Sequence, residues 1–83
     1  MSNNEPDYKN NLYFPRRLAN GLSKQQTAVC ELLIEGCSNK EIAYKLGISI
    51  STVKLHVNAA LRITGTTNRL GLAMWYLKNR VEG

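Results

Sequence analysis

Apolar residues recur at helical spacing in four separate stretches of the chain. Ala28, Val29, Leu32 and Leu33 follow at intervals of three and four, as one buried face of a helix requires. Ile42, Ala43 and Leu46 repeat the pattern over a shorter span. A third stretch carries Val53, Val57, Ala60 and Thr64. The fourth is apolar nearly all round, with Leu70, Leu72, Ala73, Met74, Trp75, Tyr76 and Leu77. Polar signals bracket these stretches. Ser23 with Gln26, and Ser38 with Glu41, form capping boxes: a hydroxyl accepts from the first free N–H groups of the helix, and the later side chain reaches back. Ser49 can cap a third helix with Thr52 at its N3 position, and Thr67 can cap a fourth. Gly36 and Gly47 follow the last periodic residues of their stretches and can take the left-handed conformation that closes a helix. Gly65 and Thr66 interrupt the pattern again. The chain is therefore expected to be all-α. Its helices run from Ser23 to before Gly36, from Asn39 to Leu46, from Ile50 to Ile63 and from about Asn68 to Asn79. A short helix, a glycine turn and a second capped helix spell a helix-turn-helix.

The third helix has the most informative polar side. At 100° per residue, Val53, Val57, Ala60 and Thr64 fall on one side, and Ser51, Lys54, Leu55, Asn58 and Arg62 on the other. A narrow buried stripe opposite side chains that can donate to base edges and phosphates suits the major groove of DNA. A solvated surface helix presents a similar face, so this pattern alone does not choose between the two. The preceding turn and the charge balance favour DNA.

In the fourth helix, Leu72, Ala73 and Tyr76 cluster on one side, while Leu70, Gly71 and Met74 cluster away from them. A terminal helix in a small domain can turn one face to its own core. Gly71 costs about 1 kcal/mol relative to alanine, unless a second helix approaches there. The outward side reads as a surface for self-association, comprising Leu70, Gly71, Met74, Trp75, Leu77 and Lys78. Trp75 and Leu77 lie at its borders and could serve either face. The alternative is a wider contact with the core.

Length and charge narrow the class. Eighty-three residues allow one small domain with a marginal core. The net charge of +5 sits almost wholly between Leu22 and Arg80, where eight Lys and Arg face Glu31, Glu35 and Glu41. A basic domain attracts polyanions, and nucleic acid is the commonest for a soluble protein. Cys30 and Cys37 with the lone His56 fall short of a tetrahedral zinc set, and their spacing matches no zinc module. Cys30 lies in an apolar helical pattern and reads as a small buried hydrophobe. No metal set, phosphate loop or acid/base pair is present, so neither enzyme chemistry nor a cofactor is expected. No apolar run is long enough to span a membrane, and the Asn-rich start is no signal peptide. These features place the chain in a reducing cytoplasm. Residues 1–20 form an N-terminal tail: Pro6 and Pro15 oppose a continuous helix, and Leu12, Tyr13 and Phe14 precede Arg16 and Arg17. That aromatic group can pack on the domain, meet a partner or steer the two arginines to DNA. The domain occupies 21–80, and 81–83 form a C-terminal tail.

From Leu22 onward the chain resembles the LuxR/GerE-type helix-turn-helix domain. Leu22-Ser23 and Gln26 match the family's opening, and Gly36-Cys37-Ser38-Asn39-Lys40-Glu41-Ile42-Ala43 reproduces its central signature. Leu46, Ile48-Ser49, Thr52-Val53-Lys54, His56, Gly65 and Asn68-Arg69 continue the match. The resemblance implies four helices, the third in the major groove and the fourth forming a two-fold dimer contact. By motif position it implies that Lys54, Leu55 and Asn58 face bases, with Lys40, Ser51, Thr52 and Arg62 near phosphates or sugars. His56 belongs to the motif but lies beside the buried stripe, which favours packing or a backbone contact. Two departures stand out. Gln25-Gln26 replaces the usual Arg-Glu pair and forgoes an ion pair. Ile63-Thr64-Gly65-Thr66 puts threonine at two customary aliphatic positions, where the hydroxyls need partners.

The resemblance implies a small bacterial or phage-type transcription regulator that binds double-stranded DNA as a homodimer, its length matching the single-domain members. The rival is an interaction protein of the same fold that blocks another regulator through the fourth helix or the N-terminal tail.

Overall fold

The computed structural model describes residues 21–80. The expectations for the two tails, including Leu12, Tyr13 and Phe14, lie outside the described residues. Four helices follow in order: α1 (Lys24–Ile34), α2 (Asn39–Leu46), α3 (Ile50–Thr64) and α4 (Arg69–Asn79).

Local hydrogen bonds set each start. Ser23 Oγ accepts from the Gln26 N–H at 3.1 Å while Gln26 Oε1 accepts from the Ser23 N–H at 2.8 Å. The same reciprocal pair joins Ser38 and Glu41 at 3.1 and 2.7 Å. At α3, Ser49 Oγ accepts from the Thr52 N–H at 3.0 Å, and the two hydroxyls meet at 2.9 Å. The fourth cap departs from expectation. Asn68, not Thr67, caps α4, with its Oδ1 accepting from the Gly71 N–H at 2.7 Å. Gly71 makes room for this bond: a β-carbon there would stand 3.3 Å from the same Oδ1. The local cap thus accounts for the glycine without an approaching second helix.

The turn between α2 and α3 needs a left-handed residue, and Gly47 supplies it at φ 70°. Its N–H bonds the Tyr44 carbonyl and the Ile48 N–H bonds the Ala43 carbonyl, which satisfies two of the four acceptors that the end of α2 leaves free. Two residues after Gly47, Ser49 already caps the next helix, so three residues make the whole turn.

The amphipathic stripes converge on α1, which packs against the other three helices. Thr27, Ala28, Val29 and Cys30 are all buried, as no one-faced helix would be. Thr27 enters the core because its hydroxyl donates back to the Ser23 carbonyl at 2.8 Å. Ile42, Ala43 and Leu46 from α2, Val53, Val57 and Ala60 from α3, and Leu72 and Tyr76 from α4 complete the core. Thr64, in place of an aliphatic residue, is half-buried; its hydroxyl donates to the Ala60 carbonyl at 2.8 Å and meets that of Thr66 at 2.8 Å. The needed hydroxyl partners are therefore present. Burial pushes the Cys30 thiol up to about 12, aided by the neighbouring Glu31 charge, so it stays a neutral core group.

Two polar ties hold α4. At its C-terminal end the Tyr76 hydroxyl, on a buried ring, donates to Glu31 Oε2 of α1 at 2.6 Å, and Arg80 pairs with the same carboxylate at 3.4 Å. At its N-terminal end the Arg69 guanidinium donates to Asn39 Oδ1 and to the Cys37 carbonyl, both at 2.7 Å.

Ser38→Ala should lower the unfolding free energy by about 1 kcal/mol, read as a fall in Tm of roughly 4–8 °C for a domain this small. The backbone and hydroxyl bonds from Ser38 hold the Glu41 carboxyl below its ordinary value of 4.5. A lowered folded-state value means the ionised form stabilises α2 above that pH and the contribution fades as acid protonates it. The stability difference between wild type and Glu41→Gln should therefore be constant near neutrality and shrink below pH 4.5. Urea unfolding across that range measures it.

Candidate nucleic-acid interface

Burial of Val53, Val57 and Ala60 fixes which side of α3 faces out. Ser51, Lys54, Leu55, Asn58 and Arg62 are all exposed on that side, Leu55 at 67%. A leucine this open among polar neighbours has no packing role within the domain. Thr52 is only half-buried, and its hydroxyl is already engaged by Ser49. Its backbone N–H is likewise occupied by the cap. His56 is half-buried at the edge of the stripe, as its position on the helix predicts.

Lys40 stands exposed in the first turn of α2. One turn further along the same face is Tyr44, exposed to 87%, which the hydrophobic pattern did not single out. Its signal in the sequence was the four-residue interval from Lys40, with Ile42, Ala43 and Leu46 already assigned to the core.

The electrostatics are one-sided. Helix α3 contains Lys54 and Arg62 and no acidic residue. Glu31 pairs with Arg80, while Glu41, in its capping box, stays ionised next to Lys40. Lys40, Lys54 and Arg62 against Glu41 still leave the exposed residues of α3 and the first turn of α2 with a net positive charge.

The outward side of α4 forms a second surface. Leu70 and Met74 are exposed to 70% and 62%, and Leu77 and Lys78 are exposed as well. Gly71 is half-buried. Trp75 departs from this group: it is half-buried and packs on the core beside Tyr76, so the border expected near it falls on its inner side. The two exposed groups thus occupy separate elements, α3 and α4. Arg69, which no periodicity marks, bridges from α4 to the start of α2.

Among the described residues no three His, Cys, Asp or Glu side chains come together as a metal ion would require. No helix among them is long and apolar enough to cross a membrane.

Four helices with this turn, this exposed third helix and this capping define a helix-turn-helix domain. Residues 20–76 match the model of bacterial regulatory proteins of the luxR family, and the chain belongs to that family. The two-component response regulator PprB of Pseudomonas aeruginosa is 47% identical over 53 residues, covering 64% of this chain and 19% of that protein. The glycerol metabolism activator of Pseudomonas putida is 44% identical over 57 residues, 69% of this chain and 26% of its own length. The nitrate/nitrite response regulator NarL of Escherichia coli K12 is 34% identical over 65 residues, 78% of this chain and 30% of its own. The chain thus spans less than a third of the length of these relatives. No solved structure matches it.

The two sides of α4 should respond oppositely to truncation. In dilute protein Leu70→Ala should change the unfolding free energy by less than about 0.5 kcal/mol. Leu72→Ala should cost about 2–5 kcal/mol, because it empties a fully buried site. Equilibrium unfolding of both variants tests the assignment, and equal losses would contradict it.

Proposed function

We propose that this chain binds double-stranded DNA as a homodimer in the bacterial cytoplasm and regulates transcription, with α3 in the major groove. One observation carries the reading: α3 buries a narrow aliphatic stripe and exposes Lys54, Leu55, Asn58 and Arg62 on a face without an acidic side chain. In that groove Lys54 donates to guanine acceptors, Asn58 pairs with adenine, and Leu55 covers a thymine methyl. Arg62, Lys40 and Ser51 reach phosphates, which fix register without reading sequence. Thr52 contributes by holding the cap of α3 rather than through a free hydroxyl. Relatives named as a response regulator and a metabolism activator support the same class of work here.

The outward side of α4 supplies the dimer contact. Leu70, Met74, Leu77 and Lys78 meet their two-fold copies across it, with Gly71 between them and Trp75 supporting from beneath. Two copies of α3 would then enter successive major grooves about one helical turn apart, and the operator would be an inverted repeat. The same open apolar side also favours a second reading, in which the chain pairs with another regulator and withholds it from DNA.

Selection from a random duplex pool with the purified chain separates the two. A palindromic winner whose affinity falls steeply with salt is expected. On that winner, Lys54→Ala with Asn58→Ala should lose at least about tenfold in affinity and relax the sequence preference. Lys40→Ala should weaken all duplexes alike and reduce the salt slope by about one. A folded protein that enriches no sequence and elutes with a partner regulator would support the second reading.

A further inference from the structure

We infer that Arg69 is a positioning residue that fixes the spacing between half-sites the dimer accepts; this inference rests on the dimeric DNA-binding reading above. Helices α2 and α4 share no packed face. Each packs on α1 and α3 instead. The Arg69 side chain crosses that gap. Its two terminal nitrogens reach Asn39 Oδ1 and the Cys37 carbonyl, 30 and 32 positions earlier in the chain, each at 2.7 Å. Asn39 is the first residue of α2, and Cys37 closes the link from α1. The planar fork of an arginine holds both acceptors at once, which fixes direction as well as distance.

The mechanical consequence follows from where the two surfaces lie. Residues offered to a second copy stand on α4, and those offered to DNA stand on α3 and at the start of α2. Half-site spacing depends on the angle between α4 and the reading elements, because each copy carries its own reading helix away from the shared axis. Core contacts through Leu72 and Tyr76 set how deeply α4 sits. Leu72 lies in the first turn of α4 and Tyr76 one turn later; the tie from that first turn to the start of α2 comes from Arg69. The residue is exposed, and what ties it to α2 is this pair of hydrogen bonds. Its contribution is directional.

Arg69→Lys separates geometry from charge, because it keeps the cation and cannot hold two acceptors in one plane. The probes are duplexes carrying the selected inverted repeat, with the gap between half-sites changed by one and two base pairs. Wild type should bind the original gap at least about tenfold better than the shifted ones, since one base pair rotates and displaces a half-site on the helix. In Arg69→Lys that ratio should fall by about threefold or more, while binding to an isolated half-site and the slope with salt stay unchanged. Asn39→Ala should widen the accepted spacing too, and the double variant should be no worse than Arg69→Lys alone, as members of one contact behave. Ser23→Ala removes a cap on α1 and touches neither α2 nor α4, so it lowers stability without altering the ratio. If Ser23→Ala widens the spacing as much, or if Arg69→Lys leaves a clear wild-type preference intact, the inference is overturned while the dimeric reading stands. A wild-type protein indifferent to spacing would overturn the dimeric reading, and the inference with it.

Discussion

A domain of this size has one core; here α3 packs on all three other helices, and so does α1. Its buried run of Thr27, Ala28, Val29 and Cys30 takes the apolar sides of α2, α3 and α4 together. Every other property depends on that arrangement. Each of α2, α3 and α4 buries one side in that core and keeps one side outward. A larger core would bury more of α3 and α4 and leave fewer faces for partners.

What was legible in the sequence was short-range. Capping at Ser23, Ser38 and Ser49 depends on residues three apart, and the left-handed Gly47 follows directly on the last turn of α2. Helix limits were therefore readable to within a residue or so. The stripe of Val53, Val57 and Ala60 was readable too, because one period generates it, and it fixes which side of α3 is open. Asn68 and Thr67 are both competent caps, and local rules could not choose between them. The cap is Asn68, whose Oδ1 takes the Gly71 N–H and lies where a β-carbon at 71 would crowd it.

What was hidden was long-range or inward. Nothing near Arg69 in sequence announces its acceptors at Cys37 and Asn39, and nothing near Tyr76 announces Glu31. Trp75, which a helical wheel places on a border, packs against the core. Thr27 is polar by composition and buried by virtue of a bond to its own helix start. The candidate site was thus readable in its α3 part, which one helix defines. It was unreadable where two helices must be placed relative to each other.

The turns have a kinetic side. Three connections of three or four residues join the four helices, so each helix finds the next with little loop-closure entropy to overcome. Helical domains with such local wiring belong to the fast-folding class, in which the search is short and exposed intermediates are brief. A unit of this kind carries its folding instructions inside its own span. It can be joined to unrelated neighbours without waiting for them to fold, and relatives that devote most of their length to other sequence have the matched segment in that setting.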